Sequence, residues 1–321
     1  MKVFVTRQIP DAGLDRIRTA CDCDVWPEPL PPSRDQLLEK SAGCDGVLTL
    51  LSDRIDAEFF DRVGPQLKVV SNFAVGYNNI DVAEAARRGI AVGNTPGVLT
   101  DATADIAVGL LLAAARRMRE GIDNVTNQQW KTWEPMGFIG QDLVGKTIGI
   151  VGMGRIGAAV ARRLHFGWGM SVVYTSRSDK PEIDSQLNAR RVEFSQLLSE
   201  SDFVSIHTDL NPATEKLFND SAFAQMKPTS VLINTARGGI VDQDALHRAL
   251  QSGTIFSAGL DVTEPEPLPE SSPLRSLGNC VILPHIGSGT VASRDAMAMI
   301  AADNLLAGLA GKPLPHRVDP A

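Results

Sequence analysis

Three things are scarce in this chain: positive charge, long apolar runs, and cysteines spaced to hold a metal. Lysine and arginine number 31 against 38 aspartates and glutamates, for a net charge of -7. Such a balance argues against nucleic acid and anionic membranes as partners. An anionic small ligand would have to be held by local arginines and backbone amides. The longest apolar run, Ile106 to Ala115, is far too short to cross a bilayer. Met1-Lys2 passes directly into Val3-Phe4-Val5, without the apolar core of a signal peptide. A cytoplasmic protein is therefore expected. Cys21, Cys23, Cys44 and Cys280 lack metal-site spacing and are expected as reduced thiols, with no bound metal. No solenoid repeat and no low-complexity tract is visible. With 321 residues and 43% apolar content, the chain exceeds one typical domain and can fill two cores.

What is present is a glycine motif in context. Gly152, Gly154 and Gly157 form G-x-G-x-x-G between the apolar run Thr147-Ile148-Gly149-Ile150-Val151 and the alanine-rich stretch Ala158 to Leu164. Alone, such a motif is weak in a chain with 28 glycines. A strand before it and a helix after it make it a dinucleotide site: one glycine for the tight turn, one for approach of the pyrophosphate, one for close helix packing. The pyrophosphate then meets free N–H groups at a helix N-terminus.

One further absence concerns the cofactor. The second strand, Ser171-Val172-Val173-Tyr174, ends in Thr175-Ser176-Arg177-Ser178, where NAD-selective sites place an Asp or Glu for the ribose 2′-hydroxyl. No carboxylate stands there. Arg177 flanked by Ser176 and Ser178 suits a 2′-phosphate, so NADP(H) is the preferred cofactor expected, with NAD(H) possible. The alternative is that Arg177 is a solvated loop residue and Asp179 reaches back.

Strand-like runs alternate with helical periods throughout, the pattern of parallel α/β layers. The expected fold is α/β, with two doubly wound parallel-sheet domains. Residues 1–100 and 287–321 would form a discontinuous flavodoxin-like substrate domain, with strands at Lys2–Thr6, Gly46–Leu50, Lys68–Asn72 and Ala91–Asn94. Residues 101–286 would form a Rossmann dinucleotide-binding domain, opened by a long helix capped by Thr100 or Asp101, which suits a dimer face. A Trp- and Gly-containing connector, Gln129 to Asp142, follows, and a last helix from about Val291 to Leu309 returns to the first domain.

Four motifs occur in order: Val151-Gly152-Met153-Gly154-Arg155-Ile156-Gly157, Asn234-Thr235-Ala236-Arg237-Gly238, Gly259-Leu260-Asp261-Val262 followed by Glu264-Pro265-Glu266-Pro267, and Leu283-Pro284-His285-Ile286-Gly287-Ser288. Together they resemble the D-isomer-specific 2-hydroxyacid dehydrogenase family. Within it the chain is similar to the glyoxylate/hydroxypyruvate reductases and to the bacterial 2-ketogluconate reductases. The resemblance implies cofactor contacts at Thr103, Met153, Arg155, Ile156, His207, Thr208, Thr235, Ala236, Asp261 and Gly287, and a substrate contact at Ser288. It also implies a carboxylate nest in the amides of Val75-Gly76. Two positions depart from the family pattern: Asp209 stands where proline is common, and Asn78 where Asp is often seen.

The chemistry can be argued from the residues as well. Hydride addition to a 2-keto acid needs a cation to hold the carboxylate and polarise the ketone, and an acid to protonate the developing alkoxide. Arg237, just after a strand, suits the first role with its planar fork. His285, at the carboxyl end of a strand, suits the second, and Glu266 would hydrogen-bond its other ring nitrogen and orient it. Of the five histidines only His207 competes, since His165 and His247 sit in helical stretches and His316 in the tail. Leu51, Val75, Gly76 and the segment Trp130 to Phe138, with Trp133 and Met136, are candidates to line the substrate pocket, the last segment in its own or a partner subunit. The expected function is NADPH-preferring reduction of glyoxylate and hydroxypyruvate by a homodimer. The alternatives are 2-ketogluconate reduction, phosphite oxidation with NAD, or a dinucleotide-gated co-repressor. The chain lacks the long tails of the last class, and Arg177 counts against the phosphite reading.

Overall fold

The computed structural model describes residues 1–320, which divide into two compact units: Met1–Leu99 with the chain from Ser288 onward, and Thr100–Gly287. The first unit opens with β1 (Lys2–Val5), α1 (Asp11–Ala20), β2 (Asp22–Val25), α2 (Arg34–Ser41), β3 (Gly46–Thr49), α3 (Ala57–Val63), β4 (Val69–Asn72), α4 (Val82–Arg87) and β5 (Ala91–Gly93). β3 and β4 are buried along their whole length, as strands covered on both faces by helices must be. Phe4, Val47, Val70 and Val92 pack on one face against Leu37 and Leu38 of α2, Phe59 and Phe60 of α3 and Val82 of α4. Side chains cap these helices: Ser33 in a capping box with Gln36, Asp56 to the Phe59 N–H, and Asp81 to the Glu84 N–H.

The second unit runs through α5 (Thr100–Ala115), α6 (Met118–Thr126), β6 (Thr147–Val151), α7 (Arg155–Trp168), β7 (Ser171–Thr175), α8 (Pro181–Leu187), β8 (Arg190–Arg191), α9 (Phe194–Glu200), β9 (Phe203–Ile206), α10 (Asp220–Phe223), β10 (Val231–Asn234), α11 (Gln243–Ser252), β11 (Ser257–Leu260) and β12 (Cys280–Ile282). Its seven strands are all parallel, in the order β12-β11-β10-β9-β6-β7-β8. Successive strand residues serve opposite faces. Ile148, Ile150, Val172, Tyr174, Val231 and Ile233 join a cluster with α5 and α7. Val151, Val173, Val204, Ile206 and Leu232 join another with Leu197 of α9, Phe223 of α10 and Leu246 of α11.

The chain then returns to the first unit as α12 (Val291–Leu309) and β13 (Arg317–Val318). α12 packs on α1, β3 and β4, and β13 pairs antiparallel with β5. The first sheet therefore reads β13-β5-β4-β3-β1-β2. Numbered within each unit, the orders are 2-1-3-4-5 with an added edge strand, and 3-2-1-4-5-6 with a seventh strand. These are the flavodoxin-like and Rossmann arrangements.

The structure departs from the sequence expectation in detail. β2 was not expected, because Asp22-Cys23-Asp24-Val25 is polar at alternate positions and lies at a sheet edge. α5 already includes Thr100 and Asp101, so neither stands outside it as a cap. α6 was not foreseen ahead of the connector. Trp130, Trp133 and Met136 are 65%, 78% and 78% exposed. Among the described residues no helix is long and apolar enough to cross a membrane.

Candidate active site

In the second unit, parallel register lines up the carboxyl ends of six strands. Val151 pairs with Thr175 and Ile206, Asn234 with Ile206 and Leu260, and Leu260 with Ile282. The residues that follow, Gly152, Ser176, His207, Thr235 and Asp261, therefore lie along one sheet edge. β6 lies between β7 and β9, where the strand order reverses, the place at which open α/β sheets bind ligands.

The glycine loop has the geometry of an anion cradle. Gly152 has φ +99°, and a Cβ there would meet the backbone of His207 and Thr208 at 2.7 Å. A Cβ on Gly157 would lie 2.3 Å from the Gly152 carbonyl oxygen, so α7 can close on β6 only without a side chain. A Cβ on Gly154 would meet nothing within 4 Å, which leaves the space above the loop open. Gly154 is the N-cap of α7 and no side chain caps that end, so the first-turn amides remain available to a phosphate. Arg155 is exposed there. The Met153 side chain is buried in the core and Ile156 packs beside it, which leaves their backbone to the loop surface.

At the end of β7, Arg177 and Ser178 are exposed and Ser176 half-buried. Asp179 is paired with Arg191 at 2.7 Å, so it does not reach back to the strand end. Arg177 lies 4.0 Å from Asp209, with the two side chains 97% and 89% exposed. An ion pair so open to water holds neither partner firmly. At the other end of the row, the Asp261 carboxylate accepts from the N–H groups of Ile286 at 2.8 Å and Gly287 at 2.7 Å. A Cβ on Gly287 would meet Asp261 at 2.9 Å and Thr103 at 3.3 Å, so these three residues converge. Burial pushes the Asp261 carboxyl up, although both amides act against it. Thr235 is buried, and its hydroxyl has no partner among the described residues. Ala236 donates its N–H to the Asn234 side chain.

The three proposed catalytic side chains are electrostatically joined. His285 Nδ1 lies 2.8 Å from Glu266 Oε2, and Glu266 Oε1 accepts from the Thr263 N–H at 3.0 Å. Nδ1 is thus the donor nitrogen, and among the described residues Nε2 has no partner. Burial alone would raise the Glu266 carboxyl. The hydrogen bond and charge of His285, the Thr263 amide and the Arg237 charge outweigh it and hold Glu266 below the ordinary range. Burial depresses the Arg237 guanidinium, against the charges of Glu266 and Asp209, yet an arginine remains cationic at any working pH. Its Nη1 also donates to the Ala236 carbonyl at 2.7 Å. His285 has φ +56°, a region non-glycine residues seldom occupy. Its N–H donates to the Asp261 carbonyl at 2.9 Å, so Asp261 fastens this turn through both backbone and side chain.

His207 is set apart. Its Nε2 meets the Ser205 hydroxyl at 2.8 Å, a partner that the sequence reading did not single out. The residue keeps partial exposure, but close packing around the ring pushes its pKa down to about 3. A ring that stays neutral cannot supply a proton near neutrality. A surface groove of about 620 Å³, lined in part by Glu215, Asp242, Asp244 and Glu264, carries the wrong sign for a keto acid.

In the first unit, Val75 and Gly76 follow β4 half-buried, and Leu51 lies half-buried in the turn after β3. Ser288 belongs to this unit rather than to the row that carries His285, and its carbonyl accepts from the Thr290 N–H.

Residues 108–287 match the family described as D-isomer specific 2-hydroxyacid dehydrogenase, NAD binding domain. The human glyoxylate reductase/hydroxypyruvate reductase is 48% identical over 320 residues, 99% of this chain and 98% of that protein. A solved protein from Thermus thermophilus is 46% identical with a TM-score of 0.91, covering 99% of this chain and 100% of its own. An NADPH-dependent glyoxylate/hydroxypyruvate reductase from Sinorhizobium meliloti, solved with NADP and malonate, is 32% identical with a TM-score of 0.84, covering 99% and 96%.

Proposed function

The chain belongs to the D-isomer-specific 2-hydroxyacid dehydrogenase family, and from that premise we propose that it reduces glyoxylate to glycolate and hydroxypyruvate to D-glycerate, with NADPH preferred over NADH. It is an NAD(P)-dependent oxidoreductase of glyoxylate-type keto acids. The observation that carries the reading is the 2.8 Å pair of His285 and Glu266, sharing its field with the half-buried Arg237 on the sheet that holds the glycine cradle.

Each residue has a role in this reading. The loop backbone at Gly152 and Gly154 and the first amides of α7 hold the pyrophosphate. Ser176, Arg177 and Ser178 hold the 2′-phosphate. Thr103, Thr235, Asp261 and Gly287 would hold the nicotinamide end of a bound dinucleotide, which would supply the hydride. Arg237 pairs with the substrate carboxylate and polarises the carbonyl. As the hydride reaches the carbonyl carbon, His285 passes its Nε2 proton to the oxygen. Glu266, bonded to Nδ1, fixes the ring and stabilises its cation. Val75 and Gly76 offer backbone amides to the carboxylate, and Leu51 contacts the substrate. The NADPH preference is supported by the missing carboxylate after β7 and by the commitment of Asp179 to Arg191.

A second copy of the chain is the proposed partner. Met118, Ile122 and Val125 of α6, with Trp130, Trp133, Met136 and Ile139, expose an apolar surface of a kind that marks association sites. Light scattering on the purified protein should read a dimer, and a monomer at micromolar concentration would remove this part.

A substrate panel at fixed NADPH tests the function, with glyoxylate, hydroxypyruvate and 2-ketogluconate compared by kcat/KM and the glycerate product resolved on a chiral column. Glyoxylate and hydroxypyruvate should lead, with D-glycerate formed. Dominant turnover of 2-ketogluconate would reassign the substrate, and no turnover of any would withdraw the enzymatic role.

A further inference from the structure

The turn after β4 carries a hydrogen-bonding pattern that no catalytic role uses. Three consecutive carbonyls, those of Ala74, Val75 and Gly76, are all engaged by the protein. Ala74 accepts from the Thr95 N–H at 2.9 Å, Val75 from Asn94 Nδ2 at 2.7 Å, and Gly76 from Asn72 Nδ2 at 2.8 Å. In a trans peptide the N–H lies opposite the C=O of the same plane. Each engaged carbonyl therefore turns the next N–H the other way, and these are the N–H groups of Val75, Gly76 and Tyr77. Among the described residues none of the three has an acceptor.

The asparagines are themselves anchored. Asn72, fully buried, accepts from the Thr49 hydroxyl at 3.1 Å and donates to Asn79 Oδ1 at 3.2 Å. Asn79 in turn donates to the carbonyls of Leu50 at 3.0 Å and Asp53 at 3.1 Å. The Asp53 carboxylate, 2% exposed, closes the same loop by accepting from the Leu50 N–H at 2.8 Å and from the Thr6 hydroxyl. Asn94 is held from behind, its backbone N–H donating to the His316 carbonyl at 3.1 Å and its carbonyl accepting from the buried Asn304 at 2.9 Å. One continuous network thus joins the loop carrying Leu51 to the turn carrying Val75 and Gly76.

We propose that Asn72, Asn79 and Asn94 are positioning residues for substrate: they aim a row of three backbone N–H groups at the carboxylate and set the place of the Leu51 loop relative to it. The inference rests on the reading that the Val75 and Gly76 amides take the carboxylate. It extends that site to the Tyr77 N–H and gives the asparagines the work of pre-orienting it, because an amide row held in place loses little freedom on binding. A network that only satisfied turn carbonyls would affect stability and leave carboxylate affinity alone.

Asn94 and Asn79 are half-buried and are the variants of choice. Asn94→Ala should raise KM for glyoxylate on the order of 10-fold, the scale of one charge-assisted hydrogen bond, with kcat within about 2-fold. It should leave the NADPH dissociation constant, and KM for the uncharged methyl glyoxylate, unchanged. Asn79→Ala should change the ratio of kcat/KM for hydroxypyruvate over glyoxylate, because the Leu50–Asp53 loop loses its tie. Asn94→Ser makes the same comparison if Asn94→Ala does not accumulate folded. Gly76→Pro, which removes one of the N–H groups, separates the two levels. If it leaves KM for glyoxylate unchanged, the amide reading fails and the proposal falls with it. If it raises KM while folded Asn94 and Asn79 variants keep wild-type values for all three substrates, the positioning role alone is overturned.

Discussion

Replacing Glu266 with glutamine removes one charge at the proposed proton donor while keeping the shape of the side chain. Glu266 Oε2 lies 2.8 Å from His285 Nδ1, and its other oxygen stays on the Thr263 N–H. A hydrogen bond to a charged group contributes roughly 1.5–3 kcal/mol. The two side chains are 31% and 38% exposed, so solvent screening argues for the low end. At about 1.4 kcal/mol per factor of ten, that predicts a loss of about 10-fold. Its sign follows from the geometry: the carboxylate accepts from Nδ1 and from the Thr263 N–H at once, whereas an amide has one oxygen and must turn a donor toward one of them. kcat/KM for glyoxylate with NADPH should therefore fall about 10-fold in Glu266→Gln. His285→Gln should lower kcat by on the order of 10²–10⁴ with NADPH affinity retained. Steady-state kinetics on both variants would show it. Wild-type kcat/KM in Glu266→Gln, or wild-type kcat in His285→Gln, refutes the assignment.

Arg177→Ala should raise KM for NADPH about 10- to 150-fold and leave NADH nearly unchanged, and adding Thr175→Asp should turn the preference toward NADH; equal weakening of both cofactors would reduce Arg177 to a loop residue. Gly157→Ala places a Cβ 2.3 Å from the Gly152 carbonyl oxygen, which should destabilise the second unit by about 1–3 kcal/mol and weaken NADPH binding, and an unchanged Tm and Kd would count against the close-packing argument. His207, whose pKa is pushed down from 6.5 to about 3, binds its proton in the unfolded chain first. Stability should therefore fall as pH drops below about 6.5, by up to about 1.4 kcal/mol per unit from this residue. Urea midpoints should fall less steeply with acid in His207→Gln than in wild type, and parallel slopes would contradict the burial of a neutral ring.

The parts of this structure that were legible in the sequence are those written in local pattern. Buried parallel strands such as Val231–Asn234 read as short apolar runs, the Gly152–Gly157 spacing fits its turn, and α12 could be delimited from its periodicity. Elements whose stability comes from a sheet edge escaped, as with Asp22–Val25 and Arg317–Val318, which are held by pairing rather than by an apolar face of their own. α6 escaped because its apolar residues point to solvent, so its pattern had no core to explain it. At the site, residue types suggested the chemistry of Arg237, Glu266 and His285, but no pattern announces the left-handed turn at His285 or the Asp261 amide bonds that fasten it. Nor could three asparagines at 72, 79 and 94 be known to converge, since their contacts are between strands and turns distant in the chain.

The central claim is that this chain reduces glyoxylate and hydroxypyruvate at the expense of NADPH. Steady-state kcat/KM of the wild-type protein, measured for both keto acids with NADPH and with NADH under one set of conditions, tests it most directly. Turnover of both acids is expected, with kcat/KM for NADPH above that for NADH. Oxidation of neither cofactor by either acid, or a clear preference for NADH, would contradict it.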